Sequence, residues 1–171
     1  GSDTTFDIRG GEGAKAILRM TEDQGDDNAD HFRMVGDSGN FTLETFASGS
    51  WANIIATSGS NGAVNMAQQP AFCATPTSGQ SNIGVNSEVT IAFGTERFDQ
   101  GDNFASNTFT APATGKYQLN ASIRLDNIDT ASDYYELRLK TSNETYDSLI
   151  FDPDAFDADP VYWNLSISVL A

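Results

Sequence analysis

Two runs of carboxylates are the residues of this chain whose types and spacing best suit chemistry. The first holds four aspartates within eight residues: Asp152, Asp154, Asp157 and Asp159. The second holds Asp23, Asp26, Asp27 and Asp30. Oxygen ligands at this density suit Ca²⁺, which tolerates irregular loops, but neither run has the EF-hand spacing. A charge run is more often a solvated loop. We therefore expect no obligatory cofactor, and Ca²⁺ bound by the first run is the hypothesis for a metal.

Aromatic side chains near predicted loop tips are the candidate ligand contacts. They crowd the last forty or so residues, and four of them are predicted to touch a ligand: Tyr134, Tyr146, Phe156 and Tyr162. Rings of this kind commonly serve sugar or protein recognition. Trp163 lies in the same region, but its alternation with Asn164 is explained more simply by core packing.

Catalytic constellations are poorly represented. His31 is the one histidine and lies far along the chain from Cys73, the one cysteine. A general base needs an orienting partner, and a thiol nucleophile needs a base. The sequence predicts a protein that is not an enzyme. A glycan-degrading enzyme that uses two of the many carboxylates is the alternative from another functional class.

The charge balance excludes several partners. The 171 residues include 24 acidic and 9 basic side chains, a net charge of −15. Nucleic acid binding needs Lys and Arg against phosphate, and anionic membrane surfaces need the same. No apolar run approaches the roughly 18 residues of a membrane span. We expect neither nucleic acid binding nor membrane insertion.

The elements that must position these residues are predicted to be short strands. Apolar and polar residues alternate through Lys116–Leu125, Tyr135–Leu139 and Trp163–Val169, and a shorter strand is predicted at Val89–Phe93. Period-2 alternation is typical of strands with one face in a core and one in water. No amphipathic helical pattern stands out, so the sequence predicts an all-β sandwich or barrel.

The first 67 residues differ from the rest in strand length and turn composition. Short predicted strands are separated by turns rich in Gly, Asp, Asn and Ser: Ala16–Thr21, His31–Val35, Asn40–Phe46 and Ala52–Thr57. So few large apolar residues cannot build a self-sufficient core. We expect copies of the chain to supply the missing burial and to cover Phe32, Phe41 and Ile54. The predicted domains are 1–67 and 68–171.

The second domain contains an aromatic residue, a proline and then a Gly-x-Tyr-x-Leu run, at Phe109, Pro112, Gly115, Tyr117 and Leu119. This pattern resembles the globular head of complement component C-one-q and its tumour-necrosis-factor-like relatives. Flanking segments fit the same order of strands: Pro70–Ala74, Glu88–Phe93 and Phe98–Phe104. The resemblance implies a jelly roll that assembles as a trimer and binds macromolecules without catalysis. The family pattern continues through further strands after Tyr162–Ala171. A longer protein, a second polypeptide or a reduced variant could each account for this difference.

The first domain alternates short apolar strands with a polar turn, in the segments Leu18–Met20, Gly25–Asp30, His31–Met34 and Gly39–Leu43. This pattern resembles the shaft repeats of bacteriophage tail fibres. It implies a trimeric β-prism of short hairpins. Together the two resemblances indicate a homotrimeric tail-fibre module, located on a virion tail or outside the cell, that attaches to a host cell-surface glycan or protein. The alternative is a secreted cellular recognition or adhesion protein of the complement-head type.

Overall fold

The computed structural model describes residues 4–84, 87–156 and 162–171. The chain is all-β with antiparallel strand pairs, as the alternation predicts. Helical structure in the described ranges is confined to short 3₁₀ turns, and none of it is long and apolar enough to cross a membrane. The chain forms two compact units, Gly1–Gly79 with Ile91–Pro112, and Gln80–Thr90 with Ala113–Ala171.

The first unit contains a five-stranded antiparallel meander. Its strands follow chain order: β1 (Ala16–Thr21), β2 (His31–Asp37), β3 (Asn40–Thr45), β4 (Ala52–Thr57) and β5 (Val64–Asn65). The bounds of β1 and β4 are those predicted, and β2 and β3 differ from theirs by one or two residues. Hairpins of this kind pair neighbours in sequence, so turn chemistry decides the register.

The β2–β3 turn shows how local sequence fixes this register. Ser38 and Gly39 occupy a two-residue turn with φ of 49° and 80°. Positive φ at both positions is the type I′ geometry, which matches the twist of paired strands. The turn places Asp37 opposite Asn40 and, farther along the same ladder, Arg33 opposite Glu44. A bulge between Leu43 and Glu44 then shifts the pairing of β3 with β4.

Four further strands complete the first unit. They form two pairs, β6 (Ala71–Thr75) with β7 (Thr95–Gln100), and β8 (Phe104–Ala105) with β9 (Thr108–Phe109). The ring of Phe72 stacks on Phe104 and on Phe109, with centroids 4.6 and 5.2 Å apart. The strands β5 and β6, on either side of the predicted domain boundary, both lie in this unit. The division into a shaft and a head stays a prediction.

The second unit is built on a long two-stranded ribbon. β10 (Gln118–Asp126) and β13 (Tyr162–Leu170) pair antiparallel over nine residues each. A smaller hairpin joins β11 (Arg138–Lys140) to β12 (Thr145–Asp147). Odd-numbered residues of the ribbon face the core, where Leu165 and Ile167 pack with Ile128, Leu137 and Phe151. The period-2 pattern of Lys116–Leu125 and Trp163–Val169 therefore predicted the buried face correctly.

Two predicted strands differ in the structure. The described residues of Val89–Phe93 form no strand, so that prediction is wrong. Phe93 is instead fixed by its backbone N–H, which donates to Asn107 Oδ1 at 2.7 Å. In place of the strand predicted at Tyr135–Leu139, the structure has the shorter β11 at Arg138–Lys140 and an isolated bridge between Tyr135 and Phe151. In both places contacts distant in sequence decide the backbone, and alternation alone cannot reveal them.

Candidate binding site

An aromatic cluster at one end of β13 is the best-formed candidate site. We define it as Tyr135, Phe151, Phe156 and Trp163. Trp163 stacks on Phe151, with centroids 4.4 Å apart and planes 10° apart. Phe156 meets both rings at 5.7 Å. Offset stacks and edge contacts are the preferred arrangements of aromatic pairs, and each contributes about 0.5–1.5 kcal/mol beyond burial.

The cluster combines a buried base with an exposed rim. Phe151 is buried, whereas Trp163 and Phe156 remain 39% and 41% exposed. The inward position of Trp163 follows from its place in β13, where it pairs with Leu125. A rigid ring with an exposed edge can contact an apolar sugar face or a partner side chain. The sequence predicted Trp163 to be a packing residue. This describes the ring face that stacks on Phe151 and leaves out the part of the ring that is exposed.

The four predicted contact residues occupy different environments. Phe156 lies in the aromatic cluster, while Tyr146 packs against the apolar core opposite Leu139. Tyr134 and Tyr162 are exposed. Tyr162 pairs with Asp126 and points to the face of the ribbon opposite Trp163, since side chains alternate along a strand. The structure thus places one of the four in the cluster, and the ligand roles of all four stay predictions.

The first acidic run starts beside this cluster. Asp152 caps the 3₁₀ turn Pro153–Ala155 by accepting a hydrogen bond from the Asp154 N–H at 3.0 Å. Asp152 and Asp154 belong to exposed positions, and Asp157 and Asp159 lie outside the described residues. In the described ranges no three His, Cys, Asp or Glu side chains are grouped to hold a metal ion. Calcium binding stays a prediction.

The second acidic run closes a local turn. The Asp27 backbone N–H donates to Asp30 Oδ2 at 3.2 Å, and the two residues form a reciprocal capping box. Capping satisfies backbone donors that the turn would otherwise leave unpaired. These carboxylates therefore have a structural use in the hairpin between β1 and β2.

The outer face of the β10–β13 ribbon is polar and ordered by side-chain hydrogen bonds. Gln118 Nε2 donates to Ser168 Oγ at 2.9 Å, and Ser168 Oγ donates to Asn120 Oδ1 at 2.8 Å. Ser122 lies opposite Ser166 farther along. The face presents amide and hydroxyl groups on a regular strand pair.

An ion-pair network lies on the β11–β12 hairpin of the second unit. Arg138 contacts Glu88 at 2.7 Å, Glu136 at 2.7 Å and Asp147 at 3.0 Å. Glu88 also pairs with Lys140. Hydrogen bonds from Lys140 and then Arg138 hold the pKa of the Glu88 carboxyl below its usual range. The network fastens the irregular segment around Glu88 to the hairpin.

The meander of the first unit has one apolar face and an opposite face, here called the charged face, that carries Arg33 and Glu44 together with the buried Val35. The apolar face comprises Leu18, Met20, Phe32, Met34, Phe41, Leu43 and Ile55. Residues opposite each other in antiparallel strands share a face, and the pairings join Leu18 to Met34, Met34 to Leu43 and Leu43 to Ile55. Leu18, Met20, Met34 and Phe41 are 37–45% exposed in the single chain.

The charged face holds a compact cluster that the sequence reasoning missed. Arg33 Nε donates to Glu44 Oε2 at 2.6 Å, and Thr42 Oγ1 donates to Glu44 Oε1 at 2.7 Å. The Arg33 guanidinium lies 4.1 Å from the centre of the Trp51 ring. Burial alone would raise the pKa of Glu44, but the bonds from Thr42 and Arg33 outweigh it and lower that pKa. The hairpin register was the signal that could have revealed this pair.

The two residues considered for catalysis, His31 and Cys73, lie in different strands. His31 begins β2, and its Nδ1 lies 3.3 Å from Thr21 Oγ1. Cys73 is half-buried in β6, opposite Phe98. In the described contacts, neither residue is paired with a second catalytic group. The prediction that the protein is not an enzyme stays a prediction.

Comparisons with protein-family models, with curated proteins and with solved structures find no match for this chain.

Proposed function

We propose that the chain is a homotrimeric attachment module of the phage tail-fibre type, which binds a host cell-surface glycan or protein without catalysis. In this proposal the meander belongs to a β-prism shaft and residues 68–171 belong to a jelly-roll head. Three copies would let weak individual sites bind a cell with avidity. The observation that carries the proposal is the exposed apolar face of the first unit.

The exposed apolar face gives a physical reason for self-association. Its central row, Leu18, Met34, Leu43 and Ile55, crosses four strands without a polar interruption. Burying a large apolar side chain contributes about 1.5–3 kcal/mol. Contiguous exposed apolar patches on soluble proteins commonly mark interaction sites. Contacts between copies along this face would supply the burial that the unit lacks.

The charge of the chain favours assembly through this face over other surfaces. A net charge of −15 makes most of the surface of one copy repel another. The seven residues of the apolar face carry no charge, so pairing there avoids local repulsion. This reasoning supports an association that is specific in its geometry.

The oligomeric state tests the proposal. We expect light scattering after gel filtration at micromolar concentration to give about three times the chain mass of 18.3 kDa. Met34→Glu should dissociate the assembly, because a carboxylate at the centre of the face loses its hydration on association. Leu149→Glu is the matched control, since Leu149 is exposed and belongs to the second unit.

Circular dichroism establishes whether both variants retain the β-sheet signal. A wild-type chain that is monomeric at this concentration, or a Leu149→Glu variant that dissociates as readily as Met34→Glu, would contradict the proposal. Attachment itself is tested with the assembled protein on a glycan array and on intact host cells, where Met34→Glu should bind more weakly through lost avidity.

A further inference from the structure

In the described part of the chain, the edge of β13 that faces away from β10 is regular and has no paired strand. Tyr117 and Ala171 exchange both backbone hydrogen bonds at the end of the ribbon, at 2.8 and 3.0 Å. Hydrogen-bonded pairs alternate along an antiparallel ladder. The backbone N–H and C=O of Asn164, Ser166 and Ser168 therefore point away from β10. Among the described residues β10 is the strand that pairs with β13.

The two edges of the ribbon differ in the features that protect a strand edge from pairing with another chain. The even-numbered residues of β10, whose side chains lie on the outer face of the ribbon, include Arg124 and Asp126, which form an ion pair at 2.9 Å. The outward residues of β13 are Tyr162, Asn164, Ser166, Ser168 and Leu170, and none is charged. Natural edge strands are usually guarded by charges, prolines or bulges. The nine-residue pairing of β13 has no bulge, and the strand has no proline. The β13 edge is thus able to accept another strand.

Charge around β13 indicates what kind of strand fits. The sequence of the second unit carries eleven acidic and four basic residues, a net charge of −7. Three carboxylates and one cation, Arg124, lie toward the Tyr162 end of the edge, so negative charge is in excess there. Asp126 pairs with Tyr162, and Asp152 and Asp154 belong to the segment whose rings contact Trp163. A strand with basic residues at this end would be attracted, whereas a second copy brings the same excess of negative charge.

We propose that the β13 edge binds an extended strand of another protein, with basic residues at the end that meets Tyr162. The backbone of the added strand pairs with Asn164, Ser166 and Ser168, as in β-augmentation. Its alternate side chains are apolar and continue the inner face beside Trp163, whose ring is partly exposed. This inference deepens the proposed attachment function, on which it rests, by naming the partner as a polypeptide.

A pair of proline variants tests the edge directly. Ser166→Pro removes an outward N–H of β13 and leaves the β10–β13 ladder bonds in place, since proline is tolerated where the N–H faces solvent. Ser122→Pro is the matched control. Ser122 lies opposite Ser166, and its own N–H points to the other edge of the ribbon. Equal thermal midpoints and circular dichroism spectra show that both variants keep the fold.

The probe is a labelled peptide as long as β13, of alternating threonine and valine, with a pair of lysines at one terminus or the other. The full chain should bind one of these two peptides, and fluorescence anisotropy measures the affinity. We expect Ser166→Pro to lose about tenfold or more, equivalent to about 1.4 kcal/mol. Ser122→Pro should bind as the wild type does. A peptide with glutamates in place of the lysines should bind more weakly.

Hydrogen exchange gives a second measurement that needs no variant. The lysine peptide should slow exchange at the amides of Asn164, Ser166 and Ser168 and leave Asn120 and Ser122 unchanged. Failure of both lysine peptides to bind, equal losses in the two proline variants, or equal binding of the glutamate peptide would overturn the inference. So would a change of oligomeric mass in Ser166→Pro without peptide, because the occupant would then be a second copy.

Failure of this inference is separable from failure of the proposed function. The peptide experiment reports the β13 edge, whereas the Met34→Glu comparison reports the apolar face of the first unit. A trimer that binds host cells but no peptide would overturn the inference alone. A monomer that binds the lysine peptide would overturn the proposed function alone.

Discussion

Glu44 is a buried charged residue of the first unit, and its surroundings explain why it is tolerated there. An uncompensated carboxylate in this position would be costly, but Arg33 and Thr42 each donate to one of its oxygens. The Arg33 guanidinium also lies over the Trp51 ring. Because these contacts favour the ionised form, the pKa of Glu44 lies below its usual value of 4.5.

This lowered pKa gives a pH prediction with a definite sign. A depressed carboxyl pKa contributes stability above the unfolded-state pKa and loses it as the pH falls through the folded-state value. Glu44→Gln should lower the free energy of unfolding near neutral pH by about 1–3 kcal/mol. The difference from wild type should shrink below about pH 4. Urea unfolding across this range measures it, and Glu22→Gln, at an exposed position, is the control. A difference that is independent of pH would refute the assignment.

At the scale of the element, the β11–β12 hairpin holds the segment around Glu88 through exposed ion pairs. Replacing Glu88 with Gln removes the charge that Lys140 and Arg138 share. We expect faster hydrogen exchange at Ser87–Thr90 in this variant and little change in β11 itself, because Arg138 keeps its contacts with Glu136 and Asp147. High salt should reproduce the effect in the wild type by screening. Glu96→Gln in β7 is the control, and unchanged exchange in Glu88→Gln would show that other contacts hold the segment.

The same elements show what the sequence could and could not predict. Alternation located β10 and β13 and the faces that they bury, since period 2 leaves one solution when one face is apolar. Counting back from the Ser38–Gly39 turn would also have paired Arg33 with Glu44. Counting out from the β11–β12 turn would place Tyr135 opposite Ile150, whereas the structure pairs it with Phe151, a one-residue shift that alternation does not show. For the same reason Phe156 could be proposed as a contact, while its place beside Phe151 and Trp163 could not.

At the scale of the whole molecule, the negative net charge opposes association between copies and favours binding of a basic strand. Assembly through the apolar face brings together chains that each carry −15, so electrostatic repulsion works against it. A basic strand at the β13 edge meets a unit of opposite charge, so attraction favours it. The first association is proposed to draw its stability from apolar burial and the second partly from charge.

Salt should therefore change the two associations in opposite directions. Raising ionic strength from about 0.05 to 0.5 M shortens the screening length to a few ångströms, which weakens interactions between exposed charges. We expect the wild-type assembly to persist to lower protein concentration at high salt, as sedimentation velocity measures. The lysine peptide should bind more weakly over the same range, with the glutamate peptide as its control. An assembly that dissociates as salt rises would depend on ion pairs between copies, which the uncharged apolar face does not provide, and would place the interface elsewhere on the chain.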